Sequence, residues 1–184
     1  MNANNTENFV GIVVRAEKSR EADIRVRLLT AEGSRTLTAT GALKQGAKLT
    51  NAVQLFTLAE FSAVGQKLIG AHVMRTNHEI TKDIKKYYLA CAICEVVNQL
   101  YHVEHNDNVF LLTANALAIL SAQNPAPDVP APPNQPDIVR QVYTEYFTAL
   151  LIELGYDIDA DQDINTAYMR HLDIKIPNTT LYLV

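Results

Sequence analysis

The run Ala22 to Gly41, ADIRVRLLTAEGSRTLTATG, decides the fold. Ile24, Val26 and Leu28 alternate with Arg25, Arg27 and Leu29, the period of a strand with one apolar face and one face carrying two guanidinium groups. Glu32-Gly33-Ser34 is a turn signal, and beyond it Arg35, Leu37 and Ala39 alternate with Thr36, Thr38 and Thr40. The run reads as a hairpin that buries one face and offers cations and hydroxyls on the other.

Working outward, Phe9 to Arg15 (FVGIVVR) is apolar on both faces and reads as a central strand. Gly41 to Thr50 is a glycine-punctuated loop with Lys44 and Lys48, Val53 to Val64 reads as a long strand, and Lys67 to Thr76 follows the Gly65-Gln66 turn as a fifth. Five strands in so short a span, mostly hairpin-linked, fit a small closed barrel of the OB type, which also removes exposed sheet edges. The period then changes to that of helices. Thr81 is a cap signal for a helix with its body at Tyr87 to Val103, Val109 to Ser121 makes a second, and Asp137 to Leu154 a third, stopped by Gly155. Six of the seven prolines fall in Asn124 to Pro136 and forbid a continuous helix there. The fold class is therefore α+β: a five-stranded OB-type β-barrel at residues 1–78, followed by an α-helical domain at 79–184 with a proline-rich loop at 124–136.

The formal net charge of -4 hides a split. Met1 to Lys86 holds 13 Lys+Arg against 8 Asp+Glu, whereas Tyr87 to Val184 holds 3 against 12. A basic module that meets an anion, joined to an acidic module with another task, accounts for this asymmetry. The basic set Arg15, Lys18, Arg20, Arg25, Arg27, Arg35, Lys44 and Lys48 is the candidate groove for phosphates, set against Glu17, Glu21, Asp23 and Glu32, which would make it an ordinary solvated face. Base stacking needs aromatic rings, and Phe9, Phe56 and Phe61 read as core, so binding should be electrostatic and salt-dependent. No apolar run is long enough to span a bilayer, the start MNANNTEN is not a signal peptide, and two cysteines suit a reducing compartment, so the sequence predicts a cytoplasmic protein.

Other patterns are better explained structurally. Cys91 and Cys94 have redox spacing but share one face of an apolar helix and read as core thiols. His102 and His105, with Glu104 and Asp107, suit a helix terminus as well as a metal. Asp157, Asp159, Asp161, Asp163 and Asn165 alternate like a calcium loop, yet Gln162 replaces its glycine and Tyr168 its bidentate Glu, so an acidic loop is preferred. Gly41 to Lys48 imitates a phosphate loop in the wrong context, between strands. The apolar end Leu181 to Val184 needs a docking place. No nucleophile beside a base is legible, and neither a cofactor nor a metal is expected.

The order GIVVR, ADIRVRLLTAEG, a threonine-rich strand to Gly41, LFTLAEFSAVG and finally LLIELGY (Leu150 to Tyr156) resembles the RecO recombination mediators of bacterial DNA repair. The resemblance implies a non-enzymatic protein whose OB domain binds single-stranded and double-stranded DNA. It further implies annealing activity, recombinase loading, a nucleoid-associated cytoplasmic location, and two partners: RecR protein and the C-terminal tail of single-stranded-DNA-binding protein. Members commonly carry Lys or Arg at the positions of Ser34, Thr36 and Thr40, and many have a four-cysteine zinc module beyond the LGY motif, where this chain has no cysteine. Those departures leave open a second reading, a protein-interaction adapter that kept the barrel but lost most DNA affinity.

Overall fold

A computed structural model describes residues 6–100, 107–122, 137–157 and 162–177. The proline-rich stretch 124–136, the histidines at 102 and 105, most of the acidic run 157–161 and the apolar end 181–184 lie outside the described residues. The chain divides into two compact units, Met1–Asn77 with Leu100–Phe110 and His78–Gln99 with Leu111–Val184.

The first unit contains five strands: β1 (Glu7–Lys18), β2 (Ile24–Thr30), β3 (Gly33–Ala39), β4 (Leu58–Val64) and β5 (Lys67–Arg75). They close into a barrel in the order β1-β2-β3-β5-β4, the OB arrangement. All pairings are antiparallel except β3 with β5, a parallel contact at Thr38 and Lys67. The alternation read from the sequence holds, since Ile24, Val26, Leu28, Leu37 and Ala39 point into the core while Arg25 and Thr36 are exposed. Each fully buried residue of that kind, such as Val26 or Leu28, contributes about 1.5–3 kcal/mol.

Two expectations about strand length need correction. The first strand is twelve residues long rather than seven, because its bulge (below) lets it continue past Val14. The fourth begins at Leu58 and not at Val53. Residues 51–57 form successive turns that insert Ala52 and Val53 into the core, so their apolarity reflects plugging of the barrel and not strand pairing. Phe56, almost wholly buried, ends this segment in a left-handed conformation (φ 67). Its N–H donates to the Val13 carbonyl (2.9 Å) and its carbonyl accepts from Asn77 Nδ2 (2.8 Å), which offsets the strain of a bulky side chain at positive φ.

The second unit opens with a 3₁₀ turn, His78–Lys82, and contains the helices α1 (Ile84–Gln99), α2 (Asp107–Ser121) from Leu111 onward, α3 (Ile138–Glu153) and α4 (Ile164–Leu172). Asp83, and not Thr81, caps α1, its carboxylate accepting from the N–H groups of Lys85 (2.9 Å) and Lys86 (3.1 Å). Thr81 instead bonds back to the His78 carbonyl. Asp137 caps α3, and Gly155 at φ 84 stops it. α4 is an element absent from the sequence reading. Asp163 is its N-cap, accepting from the Thr166 N–H, so this carboxylate of the calcium-like run is engaged in starting a helix. The core joins Leu89, Ile93, Leu117, Phe147 and Tyr168, with Phe147 edge-on to Tyr168 at 5.4 Å. Two hydrogen bonds lie inside it: Thr113 with the Tyr146 hydroxyl (3.0 Å), and the Tyr168 hydroxyl with the Phe147 carbonyl (3.0 Å). Buried Lys86 donates to the Ala122 carbonyl (3.1 Å) just past the end of α2, where a cation meets the negative pole of that helix. Among the described residues no helix is long and apolar enough to cross a membrane.

Candidate nucleic-acid interface

The cations converge because of one irregularity in β1. Val13 pairs with Leu28 but Arg15 pairs with Arg27, so Val14 is an extra residue. Before the bulge, Phe9 and Val13 face the core; after it, Ala16 does. Without that extra residue Arg15 would share the inward parity of Val13. With it, Arg15 and Glu17 turn outward beside Arg27 and Arg25.

Register then fixes the outer face. One row crosses three strands as Arg15, Arg27 and Thr36; the next crosses four as Glu17, Arg25, Thr38 and Lys67. Directly opposed residues lie about 5 Å apart and successive outward residues about 7 Å apart, which suits a phosphate backbone tracking over the rows. Arg15, Glu17, Arg25, Arg27 and Thr36 line a shallow cleft of about 190 Å³. Arg15 is engaged by Glu17, with Nε 2.6 Å from Oε1 and Nη2 also in contact with that oxygen. Among the described residues Arg25 has no carboxylate within ion-pair distance.

The remaining candidates fall in two places. Lys18 and Arg20 are exposed at the end of β1 and in the loop to β2; Lys44 and Lys48 are exposed in the turns after β3. The two segments are tied together, since Asp23 accepts from the Gly41 N–H (2.7 Å) and Leu43 donates to the Ala22 carbonyl (3.0 Å). Asp23, counted as a balancing charge in the sequence, is thus occupied by a backbone group.

Arg35 stands apart from this set. It shares the inward parity of Leu37 and lies opposite buried Leu28, so its stem covers the open end of the core. Its guanidinium sits 4.5 Å from the centre of the Phe9 ring and bonds Glu7 (2.6 Å) and Glu32 (2.9 Å). The Glu7 hydrogen bond raises its pKa above the ordinary arginine value, against the opposing effect of desolvation. Phe61, stacked on Phe9 at 6.1 Å, is fully buried, and Phe56 is nearly so, which leaves the Arg15, Arg25 and Arg27 face without a stacking ring from these three.

Lys67 was missed by the sequence reading because it follows a turn at the start of a strand with no charged neighbour. The parallel pairing with Thr38 brings it to the Arg25 row. Cys94 is buried and its thiol pKa is pushed up by desolvation; Cys91 is partly buried and also raised, chiefly by desolvation, so neither is a reactive thiolate. Among the described residues no group of three His, Cys, Asp or Glu side chains is placed to hold a metal ion.

A closed five-stranded barrel with polar and cationic groups on its β2–β3 face and adjoining loops is an OB domain of the kind that takes oligonucleotides or oligosaccharides. Residues 2–71 match the family model described as Recombination protein O N terminal. The barrel is thus the part of the chain that matches a RecO N-terminal domain, and its succession by helices is consistent with a RecO family protein. That domain implies a role in DNA recombination and repair. A search of the curated proteins returned no match to the chain.

Proposed function

We propose that the outer face of β1, β2 and β3 binds the phosphate backbone of single-stranded and double-stranded DNA, and that the chain is a non-enzymatic recombination mediator. The observation that carries this reading is the register that gathers Arg15, Arg25 and Arg27 beside Thr36 and Thr38 on the ligand face of an OB barrel. Lys18, Arg20, Lys44 and Lys48 extend the field at the loop end and Lys67 extends it across β5; Arg35 we assign to holding the end of the barrel. The domains are taken as 1–78 for DNA and 79–184 for partners, acting in the cytoplasm at the nucleoid.

Annealing and recombinase loading need protein partners, for which the family resemblance supplies RecR and the C-terminal tail of single-stranded-DNA-binding protein. An open, mainly apolar groove between α2 and α3, lined by Leu112, Ala116, Ile119, Val142, Tyr146 and Ala149, supports a peptide-binding role for the helical unit. The adapter reading draws on two features: hydroxyls at Ser34, Thr36 and Thr40, and the neutralisation of Arg15 and Arg35 by carboxylates.

A salt titration with a labelled single-stranded oligonucleotide tests the DNA role. Three phosphates neutralised by Arg15, Arg25 and Arg27 correspond to a log–log slope of about -2, each contact adding roughly -0.7. Substituting Arg25 and Arg27 by Gln should remove most of that slope. Absence of binding at low salt, with RecR or the single-stranded-DNA-binding protein tail still retained in a pull-down, would favour the adapter instead.

A further inference from the structure

We propose that Glu17 is a built-in counter-anion of the arginine face: it holds Arg15 while no phosphate is bound and gives it up to a phosphate that arrives. This rests on the DNA-binding reading above and assigns a regulator to that site.

Glu17 is the carboxylate among the residues that line the cleft. It lies two residues from Arg15 on the outward face of β1, with Oε1 2.6 Å from the guanidinium Nε, and in register directly opposite Arg25 of β2. It is thus placed between two of the three arginines. The barrel needs such a group, because Arg15 and Arg27 are themselves directly opposed and like charges across a strand pair repel. A carboxylate and a phosphate present the same pair of oxygens to a guanidinium fork, so Glu17 occupies Arg15 as a phosphate would. Both side chains are at least half exposed, 57% for Arg15 and 50% for Glu17, and ion pairs of that kind are weak. Exchange of the carboxylate for phosphate is therefore easy, and the cost of displacing it keeps the bound strand releasable. Glu17 also subtracts one charge from a face whose other members are cations and hydroxyls. It sets affinity and charge selectivity without touching a base.

The test is Glu17→Gln in the full chain, with Arg15→Gln and the double variant, each titrated with salt against the same single-stranded oligonucleotide. Glu17→Gln should bind about 2- to 5-fold tighter at low salt, the effect of removing one exposed competing pair. In the Arg15→Gln background the gain should shrink, since the carboxylate acts largely through Arg15. Binding by Glu17→Gln alone, with none by the wild type, also supports the proposal. Binding by the wild type with affinity unchanged in Glu17→Gln overturns this inference and leaves the DNA role standing. No binding by either protein at low salt overturns both.

Discussion

Arg35→Met separates a structural arginine from a binding one. The substitution keeps an apolar stem over the open end of the barrel and removes the charge from Glu7, Glu32 and the Phe9 ring. Two partly exposed ion pairs contribute about 0.2–1 kcal/mol each, and a cation over an exposed ring about 0.5–1 kcal/mol. The variant should therefore lose about 1–3 kcal/mol of barrel stability, read as a lower urea midpoint with unchanged m-value by far-ultraviolet circular dichroism. Exposed pairs are screened, so the loss should shrink in molar salt. Its slope for oligonucleotide binding should stay that of the wild type. Arg27→Met should do the reverse: stability within about 0.5 kcal/mol, slope reduced by about 0.7. The reasoning fails if Arg35→Met is as stable as the wild type, or if it lowers the slope as much as Arg27→Met does. A cycle combining Arg35→Met with Phe9→Leu should show coupling of about 0.5–1 kcal/mol.

Two further outcomes concern the helical unit. Thr113→Val leaves the buried Tyr146 hydroxyl without its partner and should cost about 1–3 kcal/mol, whereas Thr113→Val with Tyr146→Phe should recover most of that loss; additivity of the two would refute the pairing. Burial, followed by the charge of Asp163, pushes the Tyr143 hydroxyl up to about 12 from an ordinary value of 10.0. Because the folded state favours the protonated form, its contribution is complete below pH 10.0 and is lost as pH rises through about 12. Urea midpoints should therefore fall between pH 10.0 and about 12, and Tyr143→Phe should show a smaller fall.

The barrel was legible because its hairpin alternates without a break: Ile24, Val26, Leu28, Leu37 and Ala39 needed only a period of two to be placed inside. The position of Arg35 was legible on the same ground, as it shares the parity of Leu37, but its net charge drew it into the basic set. Arg15 is the opposite case. In FVGIVVR both faces are apolar, so nothing in the sequence shows that Val14 is the inserted residue that turns Arg15 outward. Residues 53–57 were misread because a segment plugging a barrel end is as apolar as a strand. α4 was missed since Ile164–Leu172 follows an acidic run whose alternation suggested ion binding, when Asp163 is a helix cap. Lys67 became visible only through pairing between strands distant in sequence, which no local pattern encodes.

On the proposed reading, the character of the outer face bears on how annealing would work. OB domains that hold single strands by stacking bury the base faces against aromatic rings. In this barrel Phe61 and Phe56 are enclosed and Phe9 lies beneath Arg35, so what the β1–β2–β3 face offers a strand is guanidinium groups and threonine hydroxyls. Such groups contact phosphates and leave the base edges turned away and free to pair. A second strand meeting the first on this surface then finds its complement exposed, with the cations also reducing repulsion between the two backbones. Threonine in place of a cation at positions 36 and 40 and the counter-charge of Glu17 both weaken the grip, which favours release of the paired product. Weak, sequence-blind contact with the backbone is thus compatible with a mediator, and a face rebuilt with aromatic rings at Thr36 and Thr38 should bind single strands more tightly while annealing them more slowly.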